Sequence, residues 1–203
     1  MTGSVLIISG PSGAGKSSLT KEILNHIPNA VFSISTTTRK PRKGEADGVN
    51  YCFTDKESFQ KDIDEGAFLE WANVHGNFYG TSIKQITEFL KNGKLVILDI
   101  DVQGYMIAKK KLGNFITSVF VTTKDKKSLK NRLVLRQSDT QDTIDTRLEN
   151  AKKEMIYINE YEYLIINDDF KTACNAMLSI AASSIYKSTL TDKEEFISSW
   201  FKN

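Results

Sequence analysis

The stretch Gly10-Pro11-Ser12-Gly13-Ala14-Gly15-Lys16-Ser17 fits the pattern G-x-x-x-x-G-K-[ST] without a break, between an apolar run and a helix-like segment. The chemistry of a polyphosphate asks for these residue types. Glycines let the backbone turn tightly and present several N–H groups to one anion, and the helix that follows adds the partial positive charge of its N-terminus. Lys16 then supplies a mobile cation for the outer phosphates, and the Ser17 hydroxyl is sized to ligate a magnesium ion. The context agrees with the pattern: Val5-Leu6-Ile7-Ile8 reads as a buried strand running into the loop. Leu19, Ile23 and Ile27 recur at helical spacing over residues 17–27 until Pro28 ends the run.

That strand–loop–helix start constrains the rest of the chain to an open α/β sheet. Further apolar strands are expected at residues 31–35, 95–100, 115–121 and 163–166, separated by helical patterns, the order of a parallel sheet with flanking helices. Two stretches break the rhythm. From Thr36 to about Ile83 the pattern changes to polar loop and short strands, near residues 51–53 and 68–74. Between them lies a helix expected to open at a capping box formed by Thr54 and Glu57 and to close near Gly66. From Lys124 to about Tyr157 the chain is charged and helical, with Arg132, Arg136 and Arg147 and a polar break at Gln137-Ser138-Asp139-Thr140, as a mobile lid would be. With no repeat or Pro-rich linker, these read as insertions in one domain. A last helix is expected to begin at Thr191 and to carry Phe196, Ile197, Trp200 and Phe201 on one side, for core packing or, second, an oligomer contact.

At 203 residues and 40% hydrophobic content the chain can bury one good core. Its net charge of +2 offers no global field for nucleic acid or an anionic membrane. Cys52 and Cys174 have no metal or redox spacing. No apolar run approaches the roughly 20 residues needed to span a bilayer, so the expected setting is cytoplasmic.

A phosphate loop alone does not separate motor, switch and kinase. The strand Leu95-Val96-Ile97-Leu98 ends in Asp99, an acid positioned to hold the water shell of a magnesium ion opposite Ser17. Within the first insertion, Arg39 and Arg42 lie three residues apart, with Tyr51 and Tyr79 available to join them on a second phosphate. Glu70 and Asp101 are candidate acceptors for the two adjacent donors on the pairing edge of guanine, and a hydroxyl from Ser35 or Thr81 can donate to the base oxygen; adenine would set a bare acceptor against the carboxylate.

With these residues assembled, the chain resembles guanylate kinases over essentially its whole length. The resemblance rests on residues 8–17, 35–45, 51–53, 68–72, 77–81, 97–104 and 166–169. It implies a P-loop core with a GMP-binding insert at about 35–83 and a lid at about 124–157, acting in ATP + GMP ⇌ ADP + GDP with magnesium. Ser35, Arg39, Arg42, Tyr51, Glu70, Tyr79, Thr81 and Asp101 would then form the GMP site, with Asp99 beside it. Gly10, Pro11, Ser12, Gly13, Ala14, Gly15, Lys16, Ser17 and Ser18 would bind the ATP phosphates. Arg132, Arg136 and Arg147 match the lid arginines, Asn167 falls where the family contacts adenine, and Ser17 with Asp99 would serve the metal. Catalysis would rest on Lys16, Arg39, Arg136 and Arg147. Where the family usually has glycine this chain has Gln137, a change that bears on how the lid bends. GMP and ATP are the expected partners, dGMP as an acceptor stays open, and a monomer or small homo-oligomer is expected. Two other readings stay open at this point: a non-catalytic interaction module of the same fold, and another small P-loop nucleotide kinase.

Overall fold

The computed structural model describes residues 3–42, 44–74, 76–135 and 140–202. Three strands and a helix start the chain: β1 (Ser4–Ser9), α1 (Lys16–His26), β2 (Ala30–Phe32) and β3 (Thr36–Thr37). The first insertion continues with β4 (Cys52–Phe53), α2 (Lys56–Asp64), β5 (Phe68–Val74) and β6 (Asn77–Ser82). Next come α3 (Ile83–Lys91), β7 (Leu95–Asp99), α4 (Val102–Leu112), β8 (Ile116–Thr122), α5 (Lys126–Leu135) and α6 (Gln141–Met155), then β9 (Tyr163–Ile166), α7 (Phe170–Ser184) and α8 (Lys193–Trp200).

Five strands form one sheet in the order β2-β7-β1-β8-β9, every pair parallel. Because side chains alternate along a strand, β1 feeds both faces of this sheet. Leu6 and Ile8 pack with Leu19 and Ile23 of α1 and with Ala173, Met177 and Ala181 of α7. Val5 and Ile7 pack on the other face with Ile86 and Leu90 of α3 and Tyr105 and Ala108 of α4. Parallel strands buried on both faces need continuous apolar sequence, which is why β1, β7 and β8 are legible as runs. At the sheet edge β9 buries only Ile165.

The first insertion forms a second sheet in the order β4-β3-β6-β5. Its helix α2 is capped by Asp55, whose side chain accepts the N–H of Ser58, not by Thr54. An aspartate caps at least as well as a threonine, and here the adjacent acid takes the position. The same one-residue correction applies to α8, where Asp192, and not Thr191, accepts from the N–H of Glu195. The expectation of core packing for that helix is overturned: Phe196 is 60% and Trp200 67% exposed, and α8 buries no residue.

In the charged segment α5 and α6 share a small core of their own, built from Leu129, Leu133, Ile144, Leu148 and Ala151. Arg136 and Gln137, with the rest of the expected hinge, lie outside the described residues. No helix among the described residues is long and apolar enough to cross a membrane.

Candidate active site

Parallel strands all point their carboxyl ends the same way, and that edge collects the polar ends of the core. The phosphate loop follows β1, Asp99 ends β7 and Asn167 follows β9. Gly10 and Gly15 show what the loop demands. Both have positive φ, 131° and 98°, which an L side chain rarely adopts. A Cβ on Gly10 would run into the carbonyl of Val121, and one on Gly15 into the side-chain amide of Asn167. The loop therefore lies directly against the neighbouring strands.

Lys16 folds back over its own loop, donating to the carbonyl of Gly10 at 2.6 Å and of Pro11 at 3.3 Å. Its ammonium stands 4.0 Å from Asp99. Burial pushes the Asp99 carboxyl up from its ordinary range, and the charge on Lys16 pulls it partly back. Around them is a cavity of about 290 Å³, lined by loop residues together with Ser17, Asp99, Asp101 and Glu154. Ser12, Ser17 and Ser18 are exposed, and Pro11 and Ala14 are buried.

Asn167 is 2% exposed, and its amide donates to the carbonyl of Ala14 at 2.8 Å. Its Oδ1 has no partner among the described residues. Arg132 closes the same corner, donating to the carbonyl of Asn167 at 2.5 Å and of Ala14 at 3.3 Å. Arg147 reaches across from α6 to donate to the Ser12 hydroxyl at 2.9 Å. Two expected lid arginines are thus brought to the phosphate loop.

Glu154 was not singled out from the sequence, because an acid in a charged helix reads as solvated surface. It stands seven residues after Arg147, on the same face of α6, and that spacing was the available signal. Burial raises its carboxyl first, Lys16 opposes the shift, and Asp101 adds to it.

The second cluster lies on the smaller sheet. In the β5–β6 ladder Glu70 stands opposite Thr81 and Ala72 opposite Tyr79, and β3 pairs with the other side of β6. With a period of two, Tyr79 and Thr81 share one face of β6. The Thr81 hydroxyl donates to Glu70 Oε1 at 2.5 Å, so its one proton is engaged by the acid and not offered to a ligand. Burial raises the Glu70 carboxyl, the bond from Thr81 lowers it, and the charge of Asp101 raises it again. Asp101 caps α4, accepting the N–H of Gly104 at 2.8 Å.

Arg39 forms an ion pair with Glu45 at 2.9 Å and lies over the Tyr51 and Phe53 rings at 5.3 and 5.8 Å. The bond to Glu45 holds the guanidinium even further above its ordinary range. Tyr51 and Tyr79 meet edge to face at 6.0 Å. Arg42 gives its backbone N–H to Glu45 and has an exposed side chain. Ser35 is half-buried in the segment just before β3, its carbonyl accepting from the backbone N–H of Cys52. Arg39, Tyr51 and Tyr79 therefore form one group, and Glu70, Thr81 and Asp101 another. One cluster is thus cationic and aromatic, and the other joins two carboxylates with a hydroxyl, chemistry suited to a phosphate and to a base edge respectively.

The guanylate kinase family model matches residues 2–183. Guanylate kinase of Helicobacter hepaticus is 55% identical over 185 residues, covering 91% of this chain and 92% of that one. That of Sulfurimonas denitrificans is 49% identical, covering 98% and 97%. The crystal structure of guanylate kinase from Anaplasma phagocytophilum superposes with a TM-score of 0.78 at 28% identity, covering 98% of this chain and 95% of that one. With a phosphate loop, two clusters at the smaller sheet and the start of α4, and a match along nearly its whole length, the chain belongs to the guanylate kinase family.

Proposed function

We propose that the protein transfers the terminal phosphoryl group of ATP to GMP, giving ADP and GDP. The observation that carries this reading is the pairing of an intact phosphate loop with the half-buried Glu70 carboxylate held by the buried Thr81 hydroxyl. A carboxylate beside Asp101 matches the two adjacent donors of a guanine edge and repels the bare ring nitrogen of adenine. The attacking atom is a phosphate oxygen already ionised at neutral pH, so no strong base is required. Positioning and charge neutralisation carry the reaction.

Each group has a part in this scheme. Arg39, Arg42, Tyr51 and Tyr79 hold the acceptor phosphate, Arg39 leaving Glu45 to do so. Ser35, Glu70, Thr81 and Asp101 serve the base, with Thr81 acting through Glu70. Lys16 moves from the Gly10 and Pro11 carbonyls to the donor phosphates, where Arg147 also points. Arg132 and Asn167, bonded to the Ala14 carbonyl of the loop, serve ATP, Asn167 on the adenine side, and Arg136 completes the lid. As α5 and α6 close, water is excluded and ATP is protected from hydrolysis.

The magnesium expected with ATP suits the donor set. Among the described residues no group of three or more His, Cys, Asp or Glu is placed to hold a metal. A phosphate-bound ion would instead meet the Ser17 hydroxyl, with Asp99 holding its water shell. Such an ion neutralises charge on the transferring group. The test is ADP release from ATP with GMP, in the wild type and in Lys16→Ala. The wild type is expected to turn over and the variant to lose measurable transfer while keeping its fold. Normal turnover in the variant would refute the role of the loop.

A further inference from the structure

A glycine inside a helix costs stability, and α4 carries one in its first turn at Gly104, with no positive φ to require it. What the position lacks is room. A Cβ built on Gly104 would lie 3.1 Å from Glu70 Oε2, 3.2 Å from Cδ and 3.3 Å from Cγ, tighter than ordinary van der Waals contact. The end of the Glu70 side chain thus lies along the bare helix backbone. On its other side the carboxylate is held by Thr81 at 2.5 Å, so it cannot retreat without losing that bond. The Gly104 N–H is meanwhile bound to Asp101. Both acids therefore share the N-terminal turn of α4, where the helix dipole favours negative charge.

We propose that Gly104 is a specificity-determining position, whose missing side chain sets the depth of the Glu70 carboxylate and so the fit of the guanine edge. The inference rests on the reading of Glu70 as guanine acceptor. Gly104 touches no substrate; it is a positioning residue. A methyl group there would displace the carboxylate by a few tenths of an ångström, enough to spoil two aligned hydrogen bonds while leaving the phosphate clusters alone.

The test compares wild type, Gly104→Ala, Glu70→Gln and the double variant Glu70→Gln/Gly104→Ala, measuring GMP and ATP dissociation constants and kcat/KM for GMP and AMP. Gly104→Ala is expected to weaken GMP about tenfold, to leave ATP binding within about twofold, and to lower the GMP-to-AMP preference. In the Glu70→Gln background the same substitution should cost GMP binding much less, because the acceptor is already spoiled. Glu70→Ala/Gly104→Ala covers the case of a misfolded single variant. With the obstructing side chain gone, alanine at 104 should raise Tm by roughly 2–4 °C over Glu70→Ala alone. Unchanged GMP binding in a folded Gly104→Ala, with Glu70→Gln impaired, would overturn the inference alone. An equal loss in both backgrounds would do the same, as would no gain in Tm in the Glu70→Ala background. Unchanged GMP binding in Glu70→Gln would overturn the reading of Glu70 and the inference with it.

Discussion

Glu70→Gln should change stability and GMP affinity in opposite directions. In the free protein the acid is half-buried and beside Asp101, and both raise its carboxyl above the ordinary value of 4.5. A carboxyl raised by folding binds protons more tightly in the native state, so folding stability falls as pH climbs from about that value through the raised one. The amide removes this penalty and keeps an acceptor oxygen for Thr81, so Tm of the nucleotide-free variant should rise at neutral pH, and more at pH 8 than at pH 4.5. Its NH2 group then meets a guanine donor. An unpartnered buried donor costs about 1–3 kcal/mol, or roughly 5- to 150-fold in GMP affinity. Calorimetric titration with GMP and thermal melts at the two pH values measure both halves. A variant that loses stability and binds GMP normally would refute the argument, making Glu70 a structural acid and not a reader of the base.

Three further outcomes follow from the geometry. Arg147→Ala should lower kcat by about 10²-fold or more with little change in the KM for GMP, since its guanidinium reaches the Ser12 hydroxyl of the loop; a rise in GMP KM alone would move it to the acceptor site. Asn167→Ala removes a buried hydrogen bond to Ala14 and should cost about 1 kcal/mol of stability while raising the KM for ATP, readable from chemical denaturation and steady-state kinetics. Phe196→Ser/Trp200→Ser should leave Tm within about 1 °C, because both side chains are exposed; a larger drop would show that α8 is held by a partner.

The sequence made legible whatever depends on local pattern. The strand before Gly10, the helix after Lys16 and the run Leu95–Leu98 ending in Asp99 appear where apolar content and turn chemistry require them. The strand β6 was missed because Asn77, Gly80, Thr81 and Ser82 make a polar run. It is a strand through tertiary packing, with Gly80 leaving space for Phe59 and Phe68. Amphipathic spacing in α8 shows that a face is apolar but not what it meets, and here it meets solvent. At the site, residue types predicted the chemistry, whereas pairings across long separations stayed hidden. Neither the Thr81 proton given to Glu70, nor Arg132 bonded to the Ala14 carbonyl, nor Glu154 facing Lys16 follows from spacing alone.

The proposed preference of this chain for GMP follows from an acceptor site that reads guanine. Its most direct test is kcat/KM, from coupled ADP release at saturating ATP, over GMP, dGMP, AMP, CMP and UMP. The two guanine nucleotides should exceed the others by about 10²-fold or more. AMP, CMP or UMP turned over as efficiently as GMP would contradict that preference.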